Sequence, residues 1–390
     1  MVYDLIVVGG SAVGLYLARE FLKKGNSVLI LERKKSVGGK VCSGLLSQHI
    51  FSLLLKSPEE ILKENDDLIE NQFEKARLWV GDRYFDFPGK AWLFNRQKLD
   101  EYLFQEAIRV GAEIKLEKEV VKVREEEKFV FVKTKDGAEF QGKIVAGCDG
   151  VLSTVAKEVG LPKQKNLLLG VIVNSQPSTF NLQPPKIEFC NSKTRCSKNS
   201  ILFASQLKPQ RKKRTKFSSP LQIPNDAFPE LFFLKDFPGF FAWKIPRKDS
   251  IEYGTALEPE KKPKERLEKW LKKSFQFQAA LIPLYSLKKT TTKRVFLCGD
   301  SAGQIKPYTG GGLIYGFTAA QIASKTINPN DPHLEIYEKE WRKKLMREIR
   351  FGNFLRHCYL LPDFLKRTGL SFLKKKNNLD QDQPLTIFHN

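Results

Sequence analysis

At 390 residues, 41% hydrophobic, 11% aromatic and 28% charged, the chain has the composition of a folded globular enzyme, which excludes a largely disordered protein. The formal charge of +22 attracts nucleic acid, anionic membrane surfaces or acidic proteins, but the lysines are spread along the chain without a nucleic-acid-binding signature, so no nucleic acid is expected. No run reaches the roughly 18 apolar residues of a membrane span, the apolar start leads into glycines rather than a cleavage site, and the six scattered cysteines lack a C-x-x-C pair; these features favour a cytoplasmic protein and disfavour a metal centre.

Residues 3–8 form a short apolar run, 9–14 a small-residue loop, and 15–24 carry helical periodicity until Gly25 ends the element. A second apolar run, 27–31, completes a βαβ unit and opens a parallel sheet. Gly9, Ser11 and Gly14 occupy the glycine positions of a dinucleotide fingerprint, which serve the tight turn, the approach of a pyrophosphate and helix packing. Ser11 replaces the middle glycine yet is small enough to leave room for phosphate at a helix N-terminus. Glu32, with Arg33 beside it, ends the second strand where a carboxylate can accept from ribose hydroxyls.

Further on, 77–87 alternates, 99–110 reads as an amphipathic helix, and 129–134 pairs with 139–145 through a turn at Asp136-Gly137. Residues 167–256, rich in Phe and Pro and interrupted by the basic cluster Lys208, Arg211, Lys212, Lys213 and Arg214, read as a second, substrate-facing domain. A buried-strand run at 295–298 ends in Gly299 and Asp300, and Gly310, Gly311 and Gly312 lead into a helix over 312–325. An acid there can hold ribityl hydroxyls, and a helix N-terminus beside a flavin ring stabilises its reduced anion, so FAD is expected rather than NAD. A basic amphipathic helix follows over 334–373. The fold class is α/β: a discontinuous, Rossmann-type FAD-binding domain with a parallel sheet (1–75, 96–160 and 293–330), an inserted antiparallel-sheet substrate domain (76–95 and 161–292) and a C-terminal helical region (331–390).

The run 147–153, with Asp149 and Gly150, resembles the D-G motif of the glutathione-reductase and hydroxylase type of flavoprotein, and Arg96 matches the arginine that lies along the FAD pyrophosphate there. Within that superfamily the chain resembles the geranylgeranyl reductases over roughly residues 1–360. The resemblance rests on 40–45 with Cys42, on 241–246 with Phe241, Trp243 and Pro246 followed by Gly254, and on 299–312. Here Phe241 stands for tyrosine, Ile245 for phenylalanine and Ala256 for the last glycine. The same aromatic string also looks like a halogenase signature, Trp243 and Pro246 would equally shape a sheet edge, and Cys42 would equally be an inert thiol.

The resemblance implies saturation of isolated double bonds in polyprenyl chains, such as those of archaeal membrane ether lipids, by hydride from reduced FAD plus a proton. Cys42 and Tyr308 are nominated as proton donors, and Phe241, Trp243, Pro246 and Gly254 as substrate residues. No second dinucleotide fingerprint is present, so transient NAD(P)H or an acidic donor such as reduced ferredoxin must reduce the flavin. The positive charge and the amphipathic tail also suit a peripheral position on an anionic membrane surface. A flavin-dependent monooxygenase or halogenase and a non-catalytic flavin-binding protein remain the alternatives. The double bonds reduced, the lipid headgroup, a Cys190–Cys196 pairing and the oligomeric state stay open.

Overall fold

The apolar run at the start of the chain forms β1 (Val2–Val8), and the small residues after it turn the chain directly into α1 (Ala12–Leu22). The computed structural model describes residues 1–175, 227–374, 380 and 382–385. After α1 come β2 (Val28–Leu31), β3 (Leu45–Ser47), α2 (His49–Leu54), α3 (Pro58–Glu64), β4 (Ile69–Val80), β5 (Arg83–Phe94), α4 (Arg96–Arg109) and β6 (Glu113–Lys115). The chain continues through β7 (Val120–Glu125), β8 (Val130–Thr134), β9 (Glu139–Gly147), α5 (Thr154–Glu158) and β10 (Leu167–Ser175). Past residue 226 lie β11 (Glu230–Phe233), β12 (Ala242–Pro246), β13 (Ile251–Leu257), α6 (Pro263–Leu271), β14 (Gln278–Pro283), β15 (Val295–Leu297), α7 (Leu313–Thr326), α8 (Leu334–Cys358) and α9 (Asp363–Lys374).

The first sheet runs β6-β2-β1-β9 with every pair parallel. The far edge of β9 is shared: β8 pairs antiparallel with residues 139–142, β15 pairs parallel with 145–147, and β7 lies beyond β8. Both faces of β1 are buried, as a covered parallel sheet requires. Leu5 and Val7 pack with α1, α4, α7 and α8, while Ile6 and Val8 pack with the β7–β8 hairpin and α5. The expected turn at Asp136-Gly137 joins β8 to β9, with Gly137 at φ 89°.

The second sheet runs β14-β10-β13-β12-β11-β4-β5-β3, antiparallel except for the β11–β4 pair. It takes in β3 and residues 69–75, which sequence reasoning grouped with the first domain. Along the start of β4 only Phe73 is buried, so the period-two signal that would mark the strand is faint there. The helix expected over 334–373 is two helices. Pro362, which has no N–H to donate and restricts Leu361 before it, separates α8 from α9. The basic cluster at 208–214, Cys190 and Cys196 lie outside the described residues.

Candidate functional site: a nucleotide cradle continuous with an apolar cavity

The glycine turn after β1 is fixed by close approach rather than by preference. Gly9 has φ 108°, and a Cβ there would stand 2.5 Å from the Cys148 carbonyl oxygen; one on Gly14 would stand 2.0 Å from the Gly9 carbonyl oxygen. Glu32 clamps the turn to the end of β2, accepting from the Gly10 N–H at 2.7 Å and the Lys34 N–H at 3.0 Å. Ser11 caps α1 by position, with no side-chain cap bond. Gly9, Ser11, Glu32 and the exposed Arg33 border a cavity of about 1060 Å³, while Gly14 packs behind it.

Arg96 opens α4 and also faces the cavity. Its Nη2 donates to Asp100 Oδ1 at 2.8 Å, but its buried Nε and Nη1 have no partner among the described residues. Leaving a buried charged donor unpaired costs about 1–3 kcal/mol or more, so these groups suit an anionic ligand such as a pyrophosphate. Asp149 borders the cavity as well, yet its carboxylate is engaged in the fold, accepting from Ser153 Oγ at 2.6 Å and the Val155 N–H at 3.1 Å. Burial raises its pKa despite these bonds.

At the far side of the cradle β15 delivers Asp300, which is ion-paired with Lys40. Gly299 (φ 77°) packs on Val13 instead of lining the cavity. The loop that follows is closed by Lys306 N–H to Gly311 O (2.9 Å) and Gly310 N–H to Lys306 O (2.8 Å). It presents Gly310, Gly311 and Gly312 to the cavity at the N-terminus of α7, where the helix dipole is positive. FAD therefore fits the residues present: Glu32 could hold its ribose, Arg96 and the α1 N-terminus its pyrophosphate, and Asp300 with the α7 loop its ribityl and ring end.

Both nominated proton donors reach this cavity, Cys42 from an exposed loop and Tyr308 from a buried position. Burial pushes the Tyr308 phenol well above its ordinary pKa. On the substrate side, the alternation of β12 and the residue before it turns Phe241, Trp243 and Ile245 into the cavity, leaving Pro246 off it. Gly254 does not line the cavity either. It pairs in register with Trp243, whose indole lies so close over it that a Cβ would stand 2.4 Å from the ring.

Two polar groups escaped sequence reasoning. Glu252 is fully buried and accepts from Trp243 Nε1 (2.9 Å), Arg247 Nη1 (2.7 Å) and Ser43 Oγ, while Arg247 also reaches Glu70 (3.0 Å). This network ties the Cys42 loop to the cavity tryptophan; an acid inside the apolar run 251–257 was its only signal. The second group is Lys306, paired at 2.5 Å with buried Asp382, which also bonds His49 Nδ1 (3.0 Å) and Ser47 Oγ. Burial would raise the Asp382 carboxyl, but the Lys306 ammonium and these hydrogen bonds outweigh it and hold the group far below the usual range. The bond to Asp382 in turn raises His49. His49, Asp380 and Asp382 bring potential metal ligands within 4.8 Å of one another, but the Lys306 ammonium already compensates Asp382.

A family model described as FAD binding domain matches residues 2–218, more than half of the chain. The chain belongs to this FAD-binding family. An uncharacterized protein of Methanocaldococcus jannaschii is 23% identical over 99% of this chain and 94% of its own length. A digeranylgeranylglycerophospholipid reductase of the same organism is 24% identical over 91% and 87%. Among solved structures, a geranylgeranyl bacteriochlorophyll reductase-like protein of Thermoplasma acidophilum superposes with a TM-score of 0.76 over 100% of this chain and 96% of its own, at 16% identity, a likeness of fold. This FAD-binding protein is thus an FAD-dependent oxidoreductase that resembles the geranylgeranyl reductases along nearly its whole length.

Proposed function

We propose that this flavoprotein saturates isolated double bonds of geranylgeranyl chains, the substrate class being polyprenyl membrane ether lipids. The observation that carries the reading is the continuity of the cavity: the nucleotide cradle passes Cys42 and Trp243 into an apolar arm walled by Leu78, Ile172, Phe233, Ile282 and α9. An isolated alkene has no carbonyl to polarise, so its reduction needs alignment, a proton source and exclusion of water. Bound FAD, once reduced, supplies the hydride. The arm aligns the chain, Phe241 and Trp243 narrow it beside the cradle, and the Glu252 network holds the tryptophan against the Cys42 loop. Tyr308 and Cys42, both on the cavity, are the proposed sources of the proton for the second carbon; burial raises the Tyr308 pKa further above its ordinary value, so its proton would leave only to a strongly basic carbon centre. Electrons come from an external donor, NAD(P)H or an acidic ferredoxin-like protein drawn by the charge of +22.

The test is an anaerobic incubation of dithionite-reduced protein with unsaturated diether lipid, followed by mass spectrometry of the chains. Gain of H2 per double bond is expected. Unchanged lipid, with flavin oxidation indifferent to the alkene, overturns the reading, and oxygen uptake stimulated by lipid would move it to hydroxylation.

A further inference from the structure

Among the described residues no helix is long and apolar enough to cross a membrane, so a chain buried in a bilayer has to be met at the surface. The far end of the cavity is built for that meeting. Phe354, Leu361, Leu365 and Phe372 line the cavity and are nevertheless 61, 40, 42 and 60% exposed, which places them at its mouth. Leu360 and Phe364 stand beside them at 61 and 67% exposed without lining it. Six large apolar side chains thus crown the opening, all from the end of α8, the break at Pro362 and α9. Water-exposed apolar surface costs about 25 cal/mol per Å², and soluble proteins seldom keep such a cluster without an occupant.

The charge behind the rim says which occupant. Lys343, Arg347, Arg350 and Phe354 follow one another along α8 at spacings of four, three and four, which is one exposed helix face leading into the rim. None of the three cations has an ion-pair partner among the described residues. At about 1.5 Å per residue they lie roughly 6 to 17 Å back from Phe354 along the axis. Apolar tips ahead of a basic band reproduce the depth order of acyl chains below anionic headgroups. The orientation of α9 is fixed from behind, because Arg367 donates to the Val80 carbonyl at 3.0 Å and pairs with Asp82.

We propose that this rim inserts shallowly into an anionic lipid bilayer, so that the cavity opens directly onto the lipid chains. The biological purpose rests on the prenyl-reductase reading, but docking itself is measured without any prenyl lipid. The full-length flavoprotein is sedimented with phosphatidylcholine vesicles and with vesicles carrying about 30% phosphatidylglycerol, both with ordinary acyl chains. Binding is expected only to the anionic vesicles, weakened by salt. The double variant Leu360→Glu/Phe364→Glu, at two exposed positions that line neither cradle nor cavity, should lose about tenfold or more of that affinity while retaining its flavin. Arg347→Glu/Arg350→Glu should lose affinity and most of the salt dependence. Vesicle binding by the rim variant equal to that of the parent overturns the proposal. So does a parent dimer that the same substitutions dissociate while vesicles stay unbound, since the rim would then be a protein interface. Reduction of detergent-dispersed lipid separates the two readings: if the rim variant reduces it normally but no longer binds vesicles, both stand. If binding holds and no lipid is ever reduced, docking stands and the reductase reading falls.

Discussion

The two ends of the cavity are made in different ways. At the nucleotide end the backbone is the binding surface: Gly9 and Gly14 are there because a Cβ would overlap a carbonyl oxygen, and few residues other than glycine could replace them. At the apolar end the surface is made of side chains from β10, β12, β14, α8 and α9, many of which could be exchanged for others of similar volume. A cofactor of constant shape is matched by steric prohibition, whereas the lining of the apolar end tolerates variation, as the proposed flexible prenyl chain would allow.

That contrast can be broken first at the cradle. Gly14→Val should expel FAD and cost about 3 kcal/mol or more, because the clash is with backbone that cannot yield; flavin absorbance of the purified protein and a urea melt report both effects. Glu252→Ala leaves Arg247 with Glu70 and the Ser43 carbonyl and frees the Trp243 indole, so about 2–4 kcal/mol of stability should go while FAD stays bound. Gly254→Ala sharpens the comparison, since its methyl would displace the Trp243 ring and press on the Val171 carbonyl of β10, 2.7 Å away, but meet nothing of the cradle. A cost of about 1–3 kcal/mol and a marked fall in lipid turnover at full flavin occupancy are expected, and normal turnover would show that the ring position is immaterial.

The smallest effect concerns His49. Its pKa is raised in the folded state, so the stability it adds is complete at pH below its ordinary value and disappears as pH rises through the folded value. Asp382 is depressed, so its contribution is complete above the usual carboxylate range and is lost progressively as pH falls below that range towards the folded value. His49→Asn should therefore destabilise near pH 6 and converge on the parent at alkaline pH. The difference should stay below about 1 kcal/mol because His49 remains 32% exposed. A pH-independent difference would sever His49 from Asp382.

What the sequence disclosed follows the same division. The βαβ start, the strand ending in Glu32 and the glycine loop after Asp300 were legible because their residue types answer to local geometry. Arg96 and Trp243 were found by resemblance, and both reach the cavity. The role of Gly254 was misplaced: it admits the tryptophan instead of facing the lining, a distinction visible only from the β12–β13 register. Lys306 and Asp382 carried no local signal, since they are brought together only by the tertiary fold; the amphipathic pattern over 334–373 was legible, but not that α9 would stand at the mouth of the cavity. The extent of β4 was hidden by its polar exposed residues.

Asp382 meets Ser47 across 335 residues of chain and seats the Lys306 ammonium beside the glycine loop. Loop-closure entropy grows slowly with length, so the final stability of this contact suffers little from the separation, but the time to form it is another matter. During synthesis the Rossmann half lacks part of its core until α8, which packs with Leu5 and Val7, has left the ribosome, and Lys306 waits longer still for its counterion, until residues beyond 380 emerge. Until then the Lys306 ammonium is left to water, and the loop that presents Gly310, Gly311 and Gly312 lacks the ion pair behind it.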